Sequence, residues 1–124
     1  MNDPSQLSKG ATLWSRDAVE RALATDDAEG LLSAVIAVSM HEEDQKYSEQ
    51  LCLRLSHHPH FNVRGNAILG FGHIARVHGK LNQEFAYPII ADALKDGNEY
   101  IRGQAECAKD DTIHFLHWKY EDGA

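Results

Sequence analysis

Apolar residues recur at spacings of three and four positions in six successive segments of this chain, with polar residues between them. That spacing places apolar side chains on one face of an α-helix, whereas no segment alternates with the period of two that a strand requires. The pattern therefore predicts six helices and no strand. The first three are predicted from Ser15 to about Ala24, from the Asp26–Asp27 break to about Met40, and through Tyr47, Leu51 and Leu55. The last three are predicted over Val63–His78, from Asn82 to Lys95, and from about Tyr100 to Lys119.

Polar residues suited to capping a helix N-terminus precede several of these segments. Ser15 is the predicted cap of the first helix, and Asp26 with Glu29 has the spacing of a capping box for the second. Asn62 and Asn82 are the predicted caps of the fourth and fifth helices. Because the connectors between helices are short, we expect the six helices to form three antiparallel pairs.

The fourth predicted helix is apolar around nearly its whole circumference, which is typical of a helix buried between neighbours. It also contains Gly65, Gly70 and Gly72. Each glycine in a helix interior costs about 1 kcal/mol relative to alanine. We therefore expect another helix to approach closely at these positions, with contact to a binding partner as the alternative.

A short segment of the chain occurs twice. Asn62–Ala67 reads NVRGNA and Tyr100–Ala105 reads YIRGQA, with an offset of 38 residues. A shorter predicted helix and a turn precede each copy. A period near forty with two helices in each unit is typical of a helical solenoid.

The second copy resembles the HEAT repeat. Pro88–Asp96 supplies the proline, the apolar stripe and the turn aspartate of that pattern, and Ile101–Arg102 with Ala105 supplies the opening of its second helix. Leu51–Gly70 matches the pattern without the turn aspartate, and the segment from about Ser15 to Met40 matches only in layout. The resemblance implies an all-α fold, a right-handed α-α superhelix of about three antiparallel helix pairs.

Length and composition suit one compact domain. The chain has 124 residues, of which 43% are hydrophobic, and we expect residues 1–124 to form one domain with residues 1–11 frayed. The N-terminus lacks an apolar signal region, and no apolar stretch approaches the ~18 residues of a membrane span, so a cytoplasmic location without membrane contact is predicted. Cys52 and Cys107 are predicted to be buried, reduced thiols.

The formal net charge is −7, which opposes binding to nucleic acid and to anionic lipid. Such a surface favours a basic protein partner. The alternative interpretation is that the charge serves solubility alone.

Histidines and aspartates provide the only candidate metal ligands. The cluster His57–His58–Pro59–His60 lies in a predicted loop, and His114 and His117 follow Asp110 and Asp111 on the sixth helix. Such side chains do bind metals, but the spacing is loose and no cysteine accompanies them. We therefore predict no metal and no cofactor, with a solvated helix face as the simpler interpretation.

The resemblance to HEAT-like proteins sharpens this prediction. In the HEAT-like enzyme deoxyhypusine hydroxylase, a His-Glu pair follows the Val-Arg of each metal-binding repeat. The corresponding positions here are Gly65–Asn66 and Gly103–Gln104, so that activity does not carry over. No nucleophile elbow, phosphate-binding loop or dinucleotide motif is present either, and no catalytic residue is predicted.

One flank of the fourth and sixth helices combines polar, aromatic and acidic residues and is the predicted partner-binding surface. Its residues are Asn66, His73, Tyr100, Gln104, Asp110, Asp111, His114 and Trp118. The alternative is that this flank packs on neighbouring helices and only its rim is exposed. The resemblance further implies that Arg64 and Arg102 pair with turn acids such as Asp96 and Asp26.

These observations favour a non-enzymatic interaction module. Small acidic helical proteins of this kind resemble bacterial immunity proteins, which bind and neutralise a cognate toxin, often a basic nuclease, and an acidic groove would steer such a toxin. Two alternatives remain open. One is a small HEAT-like metal- or ligand-binding enzyme, and the other is an adaptor or scaffold subunit, with the oligomeric state undetermined.

Overall fold

The computed structural model describes residues 14–121, and within that range it contains six α-helices and no strand. The all-helical prediction is therefore confirmed for this part of the chain, while the predicted fraying of residues 1–11 lies outside it. The helices are α1 (Arg16–Thr25), α2 (Ala28–His41), α3 (Gln45–Leu55), α4 (Phe61–His78), α5 (Gln83–Ala93) and α6 (Glu99–Leu116). None of them is both long and apolar enough to cross a bilayer.

Helix α4 is the centre of the fold. It packs against α2 on one side and α6 on the other, and α3 and α5 also contact it. Val63, Phe71 and Ile74 on α4 have no exposed surface. The prediction that this helix is buried between neighbours is confirmed, because its apolar residues face four different helices rather than one.

The sequence repeat is matched by the local structure. Helices α3 and α5 each have 11 residues, and α4 and α6 each have 18. The arginine of each copy makes the same bond: Arg64 Nη1 donates to the carbonyl of His58 at 3.1 Å, and Arg102 Nη1 donates to the carbonyl of Asp96 at 2.7 Å. Each arginine thus ties the first turn of its helix to the preceding turn.

These bonds correct the expectation that both arginines pair with acidic side chains. Both guanidinium groups bond to backbone carbonyls, because the turn before each helix points carbonyls at the arginine six residues later. The carboxylate of Asp26 accepts a hydrogen bond from His58 Nε2 instead, at 2.7 Å. That bond links the α1–α2 turn to the α3–α4 turn.

The α4 N-terminus begins earlier than predicted. His60, not Asn62, is the cap, and its Nδ1 accepts a hydrogen bond from the Asn62 amide at 3.2 Å. The turn before it is held by the His60 amide, which donates to His58 Nδ1 at 3.0 Å. In the second copy, the Asn98 amide donates to Asp96 Oδ1 at 2.8 Å, and Asn98 caps the helix. The rings of His58 and His60 in the first copy therefore take the positions of the Asp96 and Asn98 side chains in the second.

Other boundaries follow the predicted caps in part. Ser15 Oγ accepts from the Ala18 amide and Asn82 Oδ1 accepts from the Glu84 amide, so these two caps are confirmed. The capping box on Asp26 is wrong: Asp26 ends α1 in the left-handed conformation, with φ 51°, and Asp27 takes the cap position of α2 without a side-chain bond.

A buried carboxylate links the two repeats. Glu49 on α3 is only 6% exposed, and its Oε2 accepts hydrogen bonds from Gln45 Nε2 and from the backbone amide of Asn82, both at 2.8 Å. Ser48 on the same helix donates to the Val38 carbonyl of α2 at 3.1 Å. Helix α3 is thereby fastened to the helix before it and to the loop that opens α5.

The glycines of α4 mark close helix contacts, as predicted. A Cβ at Gly70 would lie 2.6 Å from Cys52 Sγ, one at Gly72 would lie 2.6 Å from Asp111 Oδ2, and one at Gly65 would lie 2.8 Å from Tyr100. Cys52 is buried in this contact, in agreement with its predicted environment. Cys107 is exposed and that prediction is wrong, because none of the other five helices described here covers the outer side of α6.

Two glycine substitutions test the close contact between α3 and α4. We expect Gly70→Ala to lower the free energy of unfolding by about 1–3 kcal/mol, because the added methyl group overpacks a buried contact. Gly103→Ala is the matched control, since nothing lies within 4 Å of its added Cβ. It should raise the free energy of unfolding by up to about 1 kcal/mol through helix propensity. Urea denaturation measures both, and equal effects of the two substitutions would contradict the close contact.

Candidate functional site

The structure brings seven of the eight predicted site residues to neighbouring positions on α4 and α6. Asn66 and His73 lie on α4, and Tyr100, Gln104, Asp110, Asp111 and His114 lie on α6. Tyr100, Asp110 and His114 are exposed, His73, Gln104 and Asp111 are half-buried, and Asn66 is buried. The flank is therefore an exposed row on α6 beside a partly covered row on α4. Part of it packs on neighbouring helices and part of it is an open surface. We call it the α4–α6 flank.

At one end of the α4–α6 flank, two amide side chains hold the hydroxyl of Tyr100. Asn66 Nδ2 donates to it at 2.8 Å and Gln104 Nε2 donates at 3.1 Å. Asn66 Nδ2 also donates to the carbonyl of Asn62 at 2.8 Å, and a carbonyl can only accept, which fixes the orientation of that amide. The Tyr100 side chain is thus held in one position by residues of its own chain.

Two aromatic residues beside Tyr100 were missed by the sequence analysis. The rings of Phe61 and Tyr100 meet edge to face, with centroids 5.6 Å apart, and the His60 ring stacks on Phe61 at 5.5 Å. Phe61 is 42% exposed and Tyr100 is 38% exposed. The missed signal was the cap: with Asn62 taken as the cap, Phe61 fell outside the helix.

Farther along the α4–α6 flank, His73 and Asp111 share a partly buried position. Burial lowers the pKa of His73 below its ordinary value of 6.5, the charge of Arg76 lowers it further, and the charge of Asp111 acts in the opposite direction. Burial also raises the pKa of the Asp111 carboxyl. Asp111 Oδ2 lies against the backbone of Gly72. Because glycine has no side chain, the carboxylate fits into the contact between α4 and α6.

Trp118 does not belong to the flank. Helix α6 ends at Leu116 rather than Lys119, because His117 adopts the left-handed conformation with φ 59° and turns the chain back. Trp118 is consequently buried, with its ring 6.2 Å from that of Tyr87 on α5. Its predicted place on the partner-binding flank is corrected by this turn.

The residues after α6 close the seam between α5 and α6. Tyr120 stacks on Tyr87 with ring centroids 4.7 Å apart, and its hydroxyl lies 2.8 Å from Thr112 Oγ1. Burial raises the pKa of Tyr120 to about 12. The apolar edge at this seam is thus covered by the chain's own segment.

The outward side of α6 is acidic. Glu99, Glu106 and Asp110 are all exposed on this helix. Of its basic side chains, Arg102 bonds to the Asp96 carbonyl and Lys109 lies 5.8 Å from the centre of the Tyr120 ring. The acidic charge therefore extends from the aromatic end of the α4–α6 flank to its histidine end.

A cavity of about 430 Å³ lies elsewhere, between α1 and α2. Apolar atoms from Ala18, Val19, Ala22 and Ala34 form much of its wall, and none of the predicted site residues lines it. Within residues 14–121, no group of three His, Cys, Asp or Glu side chains is arranged to hold a metal ion.

Comparison of the chain with models of known protein families, with curated proteins and with solved structures gave no significant match.

The opposite charges of Arg76 and Asp111 beside His73 give a test of the geometry at the α4–α6 contact. Asp111→Asn should lower the pKa of His73 further, because it removes the anion that favours the protonated ring, and Arg76→Ala should raise it. An NMR titration of the ring resonances measures both shifts. Shifts of the same sign in the two variants would contradict this arrangement.

The lowered pKa of His73 in the wild type also makes the stability of the protein depend on pH. The folded protein keeps His73 neutral to a lower pH than the unfolded chain does. The stabilisation from the neutral ring is therefore present above pH 6.5 and is lost as the pH falls toward the lowered pKa.

Proposed function

We propose that this chain is a non-enzymatic protein-interaction module whose partner is a basic protein. In its most specific form, the proposal is a bacterial immunity-type protein that acts in the cytoplasm and neutralises a cognate, nuclease-like toxin. The observation that carries the proposal is the α4–α6 flank, where a fixed tyrosine, half-buried polar groups and exposed carboxylates occur together. Aromatic side chains with a polar surround are typical of protein-binding surfaces.

We also propose that the six helices form a HEAT-like right-handed superhelix, with the flank on its partner-binding side. Three features support this fold: the identical helix lengths of the two copies, the matching arginine bonds, and the row of α2, α4 and α6 in contact. A superhelix of this kind presents one continuous surface formed by consecutive second helices.

The charge of the flank supports a basic partner. Glu99, Glu106 and Asp110 are exposed along α6, and the whole chain carries −7. Complementary charge accelerates the encounter of two proteins and selects the partner, and its effect weakens as salt is added. A toxin that binds nucleic acid is basic for the same electrostatic reason, so a carboxylate-rich surface matches it.

The proposal assigns no catalytic residue, metal or cofactor to the flank. Its most ordered polar groups, Asn66, Tyr100 and Gln104, bond to one another and to backbone, which suits them to shaping a surface. A catalytic base or nucleophile would instead be aimed at the position of a reacting atom.

Charge reversal tests this function with a matched control. Glu106→Lys/Asp110→Lys changes the acidic outward side of α6 at the edge of the flank, whereas Glu84→Lys/Asp92→Lys makes the same change in net charge at exposed positions of α5. We expect the first pair to weaken partner binding at least about tenfold, because like charges then oppose a basic surface, and the second pair to change it little. The partner is identified by crosslinking in the native host, and calorimetry measures its affinity.

The immunity role has a separate measurement. If the crosslinked partner is a toxin, co-expression of the wild type should restore growth, and Glu106→Lys/Asp110→Lys should fail to restore it. An acidic partner, or equal binding by both charge-reversed variants, would overturn the proposed function.

A further inference from the structure

We propose that Phe61 and Tyr100 form an arginine-binding site, in which the two rings receive a guanidinium group of the basic partner. This inference rests on the proposed function, and it names the side chain that the partner would present. We call His60, Phe61 and Tyr100 together the aromatic platform. It lies at the N-terminal ends of α4 and α6.

The platform is ordered through a chain of contacts. His60 caps α4 through its Nδ1, which fixes the ring that stacks on Phe61. Phe61 meets Tyr100 edge to face, and the Tyr100 hydroxyl is held by Asn66 and Gln104. Rings that are already ordered lose little conformational entropy on binding, which favours affinity.

Tyr100 also packs closely on the backbone of α4. A Cβ at Gly65 would lie 2.8 Å from Tyr100 Cε2, so the ring occupies the space that a side chain would otherwise fill. The matching glycine of the second copy, Gly103, has nothing within 4 Å of its Cβ position. Only the first of the two glycines therefore has an aromatic ring seated on it.

Despite these contacts, the rings remain accessible. Phe61 is 42% exposed and Tyr100 is 38% exposed, so each ring keeps part of its surface open to solvent although its neighbours order it. Exposed apolar surface next to polar groups is typical of an interaction site. The two amides beside the rings already bond to the tyrosine hydroxyl.

The exposed carboxylates along α6 favour a cationic side chain at this surface. Glu99 is exposed and directly precedes Tyr100, and the neighbouring arginines Arg64 and Arg102 are held at their own turns by backbone carbonyls. A guanidinium group is planar and weakly hydrated, stacks on aromatic rings and pairs with a carboxylate. Lysine carries the same charge, but its ammonium is compact and strongly hydrated, so arginine is the better match.

The Tyr100 hydroxyl can contribute a hydrogen bond to a bound partner. Its oxygen accepts two amide hydrogen bonds, which leaves its proton to be donated. A backbone carbonyl beside the partner's arginine would accept that proton. Tyr100→Phe keeps the ring but releases both amides, so it should weaken binding less than Tyr100→Ala does.

The test is an NMR titration of the whole protein with a short peptide of alternating glycine and arginine at low salt. We expect the ring resonances of Phe61 and Tyr100 to shift and saturate, and the matching lysine peptide to bind more weakly. Phe61→Ala and Tyr100→Ala should each weaken the arginine peptide by about 2- to 30-fold, the range of a cation–π contact. Phe115→Ala is the matched control, because Phe115 is also 38% exposed but lies at the opposite end of α6.

Several results would overturn the arginine site. They are equal affinity for the two peptides, unchanged affinity in both platform variants, or an equal loss in Phe115→Ala. Thermal unfolding of each variant shows that it is folded, and the rings are exposed enough that truncation should leave the fold intact.

The experiment separates this inference from the proposed function. If the peptide does not reach the platform but Glu106→Lys/Asp110→Lys still loses the partner, the arginine site is wrong and the function stands. If the peptide binds at the platform and those charge reversals leave partner binding unchanged, the function is wrong and the arginine site stands.

Discussion

The burial of most of α4 between its neighbouring helices is the constraint on which the rest of this structure depends. A helix can be approached closely only where its own side chains are small, and α4 has glycine at the contacts with Cys52 on α3 and with Asp111 on α6. The cost of these glycines in helix propensity is offset by the apolar surface that the close approach removes from water. Helices α2 and α6 are placed by their contact with α4, and α3 and α5 are placed around it.

This packing also decides where polar groups remain accessible. The neighbours of α4 cover most of its sides, so accessible positions remain at its ends and along the outer side of α6. The aromatic platform occupies the first position, and the carboxylates Glu106 and Asp110 occupy the second. His73 and Asp111 lie between them in partial burial, where the cost of removing charge from water shifts both pKa values toward the neutral forms.

Much of the fold could be predicted because its signals are local. Apolar periodicity identified all six helices, and the NVRGNA and YIRGQA segments revealed a repeat that the helix lengths of the structure match. Two boundaries could not be found in that way. His60 becomes a cap only through the position of its ring, and α6 stops at His117 although no glycine marks the end. The first boundary involves a local ring contact, in which His60 stacks on Phe61. The second involves tertiary contacts, because the turn at His117 brings Trp118 and Tyr120 onto Tyr87.

The candidate site was harder to predict, because it depends on the differences between the two copies and not on what they share. Asn66 and Gln104 are equivalent positions 38 residues apart, yet they meet at one tyrosine that has no equivalent in the first copy, where Asn62 stands. Gly65 and Gly103 are likewise equivalent, but Tyr100 fills the space only at Gly65. A surface made at the junction of two repeats is therefore absent from either repeat alone. Substitutions at the non-equivalent positions can change the chemistry of this surface without changing the arginines and apolar residues that the two copies share.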